Sequence, residues 1–277
     1  MTERTGPEDT SPTEPTKRSA QADNHGQPDG GAGTAPTGPQ PRDRGRWAAK
    51  VDRLTVTRSG SRGANVANRR LTGPVQGFGK MWQKTYSIEV GTGVSPEEAI
   101  ATWKEHFAEF WPKGSRFEGP LKGIQPGEVA LLDVGIGGGM RLSTGVFVLY
   151  ADEESFTLMT PQGHMFAGWI TFSADRPRDV TTVQTQVLMR ANDPIYEIAM
   201  AMGGHRKEDQ FWVETMTALA RYLGAPPTTV HTCTVCVDPR RQWGNVTDVW
   251  QNSMMRSLLQ TITAPVGRFA WRREHED

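Results

Sequence analysis

From Glu128 to Ala191 the chain alternates apolar and polar residues through about four short runs separated by turns. Directly afterwards, from Lys207 to Leu223, the apolar period becomes that of an amphipathic helix, with Phe211, Trp212, Met216, Leu219 and Leu223 in one stripe. The alternation predicts strands over 129–134, 140–151, 156–160, 165–173 and 180–190. They lie too close in sequence for crossovers, so neighbours pair antiparallel. Upstream, 81–90 reads as a strand, with Trp82, Lys84, Tyr86, Ile88 and Val90 taken as not all on one face. A helix should start at Ser95, where Pro96 suits the first turn and Glu98 completes a capping box. Ile100, Trp103, Phe107 and Phe110 give it one apolar face, and Pro112 closes it after Trp111. A second helical stretch runs from Asn192-Asp193-Pro194 to Met202, with Gly203-Gly204 interrupting it before the long helix. A curved sheet followed by one long helix describes a container with a lid, and a cavity suited to an apolar small molecule.

The flanks differ. Residues 1–46 hold no Val, Ile, Leu, Phe, Tyr or Trp, so they lack the apolar surface to offset ordering entropy and read as a disordered arm. A solvated extension, a tether or a partner-binding arm would all have this composition. Residues 47–79 read as a transitional segment, with Val51, Leu54 and Val56 as a short strand or docked turn. Arg58, Arg62, Arg69 and Arg70 make that segment locally basic; it reads as a solvated loop or as a grip for phosphate or an acidic partner. The folded unit should cover 80–224, followed by a strand-and-helix extension over 225–277. In that extension 230–237 reads as a strand. Trp243, Val246, Trp250, Met254, Leu258 and Ile262 recur at helical spacing, as in a helix that covers an edge or forms a homodimer.

Lysine plus arginine number 31 and aspartate plus glutamate 31, so the net charge is zero and the usual electrostatic case for nucleic-acid binding is missing. No run approaches the ~20 apolar residues of a membrane span, and Met1-Thr2-Glu3-Arg4 does not open a signal peptide. A cytoplasmic location with no integral membrane association is the expectation.

Candidate chemistry is sparse. Gly135-Ile136-Gly137-Gly138-Gly139 lacks the Gly-Lys-Ser/Thr and following helix of a phosphate loop, and reads as a hairpin. His231, Cys233 and Cys236 have part of a zinc pattern, but three positions apart on a strand the cysteines face opposite sides. Buried apolar cysteines are the preferred reading, and neither a metal nor a cofactor is expected. His164, in the turn after Gln162-Gly163, is the candidate catalytic acid–base group, with Asp133 a conceivable partner. His106 should be solvated. Trp169, Gln184, Trp212 and Met216 are the candidate ligand-binding residues.

The order strand, helix, several strands, long helix resembles the START-like helix-grip superfamily, which includes polyketide cyclases and lipid-transfer domains. Within it, residues 79–224 resemble an uncharacterised domain family of small bacterial proteins. The matching stretches are Gln125-Pro126-Gly127-Glu128-Val129, Phe156-Thr157-Leu158-Met159-Thr160-Pro161-Gln162-Gly163-His164 and Ala218-Leu219-Ala220-Arg221-Tyr222-Leu223. In that family a strand bearing an acidic residue often follows a similar turn, whereas Met165-Phe166-Ala167-Gly168-Trp169 carries none. The resemblance implies an α+β fold: a curved antiparallel sheet gripping the long C-terminal helix, with a cavity between them. It implies no single activity. The leading expectation is binding of an apolar or amphipathic small molecule. A cyclase- or dehydratase-type enzyme using His164 is the first alternative. A protein or membrane interaction module, with Arg268, Arg272 and Arg273 beside Trp271, is the second.

Overall fold

The computed structural model describes residues 44–56, 61–137 and 140–257. The expected disordered arm up to residue 43, Arg58 of the basic stretch, Leu258 and Ile262, and the Arg268–Arg273 group lie outside these residues.

Nine strands form one antiparallel sheet: β1 Leu71–Thr72, β2 Met81–Gly91, β3 Arg116–Glu118, β4 Val129–Gly137, β5 Met140–Ala151, β6 Ser155–Pro161, β7 Phe166–Asp175, β8 Thr181–Ala191 and β9 His231–Asp238. The order is β3-β4-β5-β6-β7-β8-β2-β9, and β1 pairs with β6. Strands β4 to β8 are a meander, as their short connections require. Strand β2 closes against β8, and β9 from the extension pairs with the free side of β2 and becomes the edge.

Helix α1, Pro96–Glu105, starts as its sequence dictates, with Ser95 Oγ accepting the Glu98 N–H at 3.1 Å. It ends at Glu105 rather than Trp111, because the chain turns at His106, whose carbonyl accepts the Glu109 N–H at 2.9 Å. Phe107 and Phe110 remain buried beyond that end. Asp193 caps α2, Pro194–Ala199, by accepting the Ile195 and Tyr196 N–H groups. A π-helical turn, Met200–Gly204, then breaks helical geometry at Gly203, whose φ of 114° suits glycine, before α3, His205–Tyr222.

One face of the sheet meets the helices. Lys84, Tyr86, Ile88 and Val90 of β2 all point there, contrary to the expectation that they divide between faces; positions two apart on a strand share a side. With Phe156 of β6, Phe172 of β7, Val183 and Val187 of β8, Ile100 and Trp103 of α1, and Met216 and Leu219 of α3, they build the main core. Phe156 and Phe172 are cross-strand partners stacked at 4.6 Å, and Trp103 meets Phe172 edge-on at 5.0 Å.

The opposite face is covered as well. Leu54 and Val66 of the 47–79 segment pack on Leu131 and Phe147, so this segment is a second, smaller core layer rather than a connector. The extension also docks. Ser253 N–H reaches Gly163 O at 2.9 Å, Met254 N–H reaches the Tyr196 hydroxyl, and Asn252 donates to Asp193 at 2.7 Å. The single helix expected from residue 243 is instead a 3-10 stretch, Trp243–Gln251, that stops at Asn252 and is followed by helical residues 253–257. Asn252 stops it because its side chain serves the backbone of Met254 and Met255, capping a new helix.

Candidate functional site

The helix-facing side of β2 carries two polar residues in an apolar register. Lys84 is 1% exposed, and its Nζ lies 2.8 Å from Glu208 Oε2 and 2.7 Å from Asp209 Oδ1, both on α3. The Tyr86 hydroxyl donates to Asp209 Oδ1 at 2.6 Å. Trp82, one alternation earlier, meets the His205 ring edge-on at 5.0 Å. These contacts fasten the N-terminal half of the long helix to the sheet through charge rather than through apolar packing.

The cluster is electrostatically unbalanced. One ammonium faces two carboxylates, Glu208 buried and Asp209 37% exposed, so with both ionised the site carries a net negative charge at the edge of the core. Burial therefore dominates at Glu208 and pushes its carboxyl up to about 7, while Lys84 pulls the other way and Asp209 adds to the rise. Burial and then Lys84 push the His205 ring down. Burial also pushes the Tyr86 phenol up, reinforced by Glu208 and by the hydrogen bond to Asp209. Hydrogen bonding is incomplete here. Glu208 Oε2 has the Lys84 ammonium at 2.8 Å, whereas Glu208 Oε1 and Thr185 Oγ1, on the β8 residue opposite Tyr86, are buried without a partner among the described residues. A buried polar atom left unpaired costs ~1–3 kcal/mol, so a cluster of them marks a place where water or a ligand supplies the missing partner.

The sequence-predicted residues divide. Trp212 and Met216 lie on the gripping side of α3: Trp212 is half-buried and edge-on to Phe172 at 5.6 Å, and Met216 is fully buried. Trp169 and Gln184 are on the other side of the sheet. Trp169 shares its face of β7 with Thr171 and Ser173, opposite Phe172, and Gln184 pairs in register with Ser173 and Ser87. The four do not line one cavity. Strand β7 carries bulky groups on both faces, and the turn Pro74–Gln76 packs on it from the side away from the helices.

His164 stands in the turn before β7. It is 6% exposed, its Nδ1 accepts the Phe166 N–H at 3.0 Å, and burial pushes its pKa down to about 4. The ring holds the turn into β7, while Asp133 is engaged by Arg141 at 2.9 Å on the β4–β5 hairpin. His106 is not merely solvated: it bridges Glu109 and the Tyr222 hydroxyl, each at 2.9 Å, tying the end of α1 to the end of α3. Cys233 is exposed and Cys236 half-exposed on edge strand β9, so neither is a buried apolar cysteine. Among the described residues no three His, Cys, Asp or Glu side chains are grouped to hold a metal.

Sequence reading missed Lys84, Tyr86, Glu208 and Asp209. Lys84 interrupts an apolar phase two residues before Tyr86, and Glu208 falls one turn before Trp212 in the buried stripe of α3. Both signals were legible as charges on the wrong face.

The sheet wraps one side of α3 and the helix closes over it. The fold is a helix grip.

No protein-family model and no curated protein matches the chain. Several solved structures are similar. Ara h 8.0201 aligns over 51% of this chain and 97% of its own, at 15% identity and a TM-score of 0.37. The di-domain ARO/CYC StfQ from the steffimycin biosynthetic pathway aligns over 52% of this chain and 51% of its own, at 9% identity and a TM-score of 0.42. The major latex-like protein 151 of Panax ginseng aligns over 50% of this chain and 97% of its own, at 11% identity and a TM-score of 0.32. No helix among the described residues is long and apolar enough to cross a membrane.

Proposed function

We propose that this protein binds an amphipathic small molecule between the sheet and α3. Its apolar part would lie against Trp212 and Met216, and its polar end at Lys84, Tyr86, Glu208 and Thr185. The observation that carries the reading is the group of buried, incompletely partnered polar atoms on an otherwise apolar gripping face. The π-helical turn with its kink at Gly203 supports it, because it gives the N-terminal end of α3 a point about which to move. The test combines native mass spectrometry of the purified protein with a titration of Nile red, a neutral apolar dye. A co-purifying small molecule is expected. The dye should bind one-to-one with blue-shifted emission, and Trp212→Ala, which removes the half-buried ring beside Phe172, should weaken it at least tenfold while circular dichroism stays native. No co-purifying molecule together with no saturable dye binding would overturn the reading.

A second reading, proton-transfer chemistry of the cyclase or dehydratase kind, is favoured by Glu208, a buried carboxyl held near neutrality beside a lysine and a phenol. Glu208→Gln separates the two readings. Retention of the co-purifying molecule by the variant, where the wild type converts it to a different mass, supports chemistry, and identical masses support binding alone.

A further inference from the structure

The basic stretch read from the sequence as either a loop or a phosphate grip gains partners in three dimensions. Arg69 and Arg70 follow the 3-10 turn Ser61–Asn65. Arg53 joins them from the same segment, Gln162 from the turn after β6, and Gln251 and Arg256 from the C-terminal extension. Together they line a cavity of about 470 Å³ whose other lining residues are Ala64, Ala67 and Asn68; among the described residues four arginines and no carboxylate line it.

The cavity is built rather than incidental. The Arg69 carbonyl accepts the Leu54 N–H, and the Arg70 carbonyl accepts the Gln162 N–H, each at 2.8 Å, so both arginines stand on a fixed backbone. Arg53 Nη1 donates to Asn68 O at 2.9 Å, bracing the opposite wall. Arg69 is only 7% exposed. Its Nη1 donates to Gln251 Oε1, but its Nη2 is buried with no partner among the described residues. A buried guanidinium donor without an acceptor, beside three further arginines, leaves positive charge and hydrogen-bonding capacity unanswered. An oxyanion answers both. Guanidinium forks match the oxygens of a phosphoryl group in paired hydrogen bonds, and a dianion relieves the repulsion among the arginines. The volume exceeds that of a bare phosphate, leaving room for the group that carries it.

We propose that this cavity is a binding site for the phosphoryl group of a small phosphorylated molecule. It is formed only when the segment before β1 and the C-terminal extension dock on the turn after β6. It is separate from the Lys84 cluster, on other elements, and does not depend on the function proposed above.

The test is isothermal titration calorimetry of the full chain with inorganic pyrophosphate and with inorganic phosphate. Pyrophosphate should bind one-to-one and more tightly than phosphate, and weaken as salt rises. Arg70→Gln and Arg256→Gln replace exposed side chains that the fold does not need, and each should weaken binding at least tenfold. Arg178→Gln, an exposed arginine in the β7–β8 turn, should leave it unchanged. Absence of saturable pyrophosphate binding, or binding indifferent to both Arg70→Gln and Arg256→Gln, would overturn the proposal. A single-stranded oligonucleotide that binds far more tightly than pyrophosphate, with both variants impaired, would overturn it in favour of a nucleic-acid surface.

Discussion

Replacing Glu208 by glutamine tests the electrostatic reasoning at the grip most directly. Glutamine keeps the side-chain volume and removes the ionisation. Burial holds the native carboxyl at about 7 against an ordinary value of 4.5. The folded state therefore holds a proton that the unfolded chain has released throughout that interval. Stability from this group is fully present below pH 4.5 and is lost as the pH rises through about 7. At about 1.4 kcal/mol for each pH unit, the loss amounts to about 3 kcal/mol. The wild-type curve alone will not display it, because His164 has the opposite dependence across much of the same range. The difference between wild type and Glu208→Gln does, since His164 is common to both. Urea unfolding followed by far-ultraviolet circular dichroism at a series of pH values gives that difference. The wild type should lose about 3 kcal/mol relative to the variant between pH 4.5 and 7. A constant difference would mean that Lys84 neutralises the burial cost completely. A difference of opposite sign would mean that the ion pair outweighs burial, and either result refutes the account of an over-filled acidic cluster.

Other consequences follow from named contacts. His164 is held at about 4 against an ordinary 6.5, so its contribution is present above pH 6.5 and lost as the pH falls through about 4. His164→Asn, which keeps an acceptor for the Phe166 N–H, should be about 3 kcal/mol less acid-sensitive over that range in the same urea assay. Gly163 has φ 89°, and a Cβ there would run into the Gln251 carbonyl. Gly163→Ala should cost on the order of 2 kcal/mol in unfolding free energy and weaken pyrophosphate binding, because Gln251 would be displaced from the cavity. Arg190, 2% exposed, donates to Arg240 O at 2.8 Å, Asp238 at 2.6 Å and Gly79 O. Arg190→Met should cost about 3 kcal/mol, and hydrogen exchange should show β9 losing protection first.

What the sequence made legible was periodicity with a short range. The meander strands fall within a few residues of their expected bounds because every alternation is local, and α3 because its stripe runs unbroken for several turns. Strand β3 was missed, since three residues carry no period. The fate of α1 past Glu105 was missed because burial of Phe107 and Phe110 does not require helix, only a chain that stays against the core. The facing of Trp169 and Gln184 was illegible for a different reason. Alternation reveals a buried face only when the other face is wet, and here the turn Pro74–Gln76 that follows β1 packs on β7 and β8.

The same cover explains why function was harder to read than fold. In a minimal helix grip the outer face of the sheet needs only solvent. In this chain the outer face carries Leu54 and Val66 on one side, and the extension reaches the turn at Gly163. Apolar packing accounts for the first contact. It does not account for four arginines meeting around a cavity with one guanidinium nitrogen buried and unpaired. Segments recruited only to shield a sheet would gain by placing carboxylates among those arginines, as Asp238 stands by Arg190 and Glu197 by Arg241 elsewhere in this chain. Among the described residues none stands at Arg69, which leaves a charge that these contacts do not satisfy. The gripping face, likewise, sets two carboxylates, one buried and one partly exposed, against a single lysine. Both imbalances sit where a second molecule can correct them, one by accepting hydrogen bonds from arginine and the other by meeting a polar end beneath α3. The residues that break the rules of the fold are therefore the ones by which its ligands can be sought.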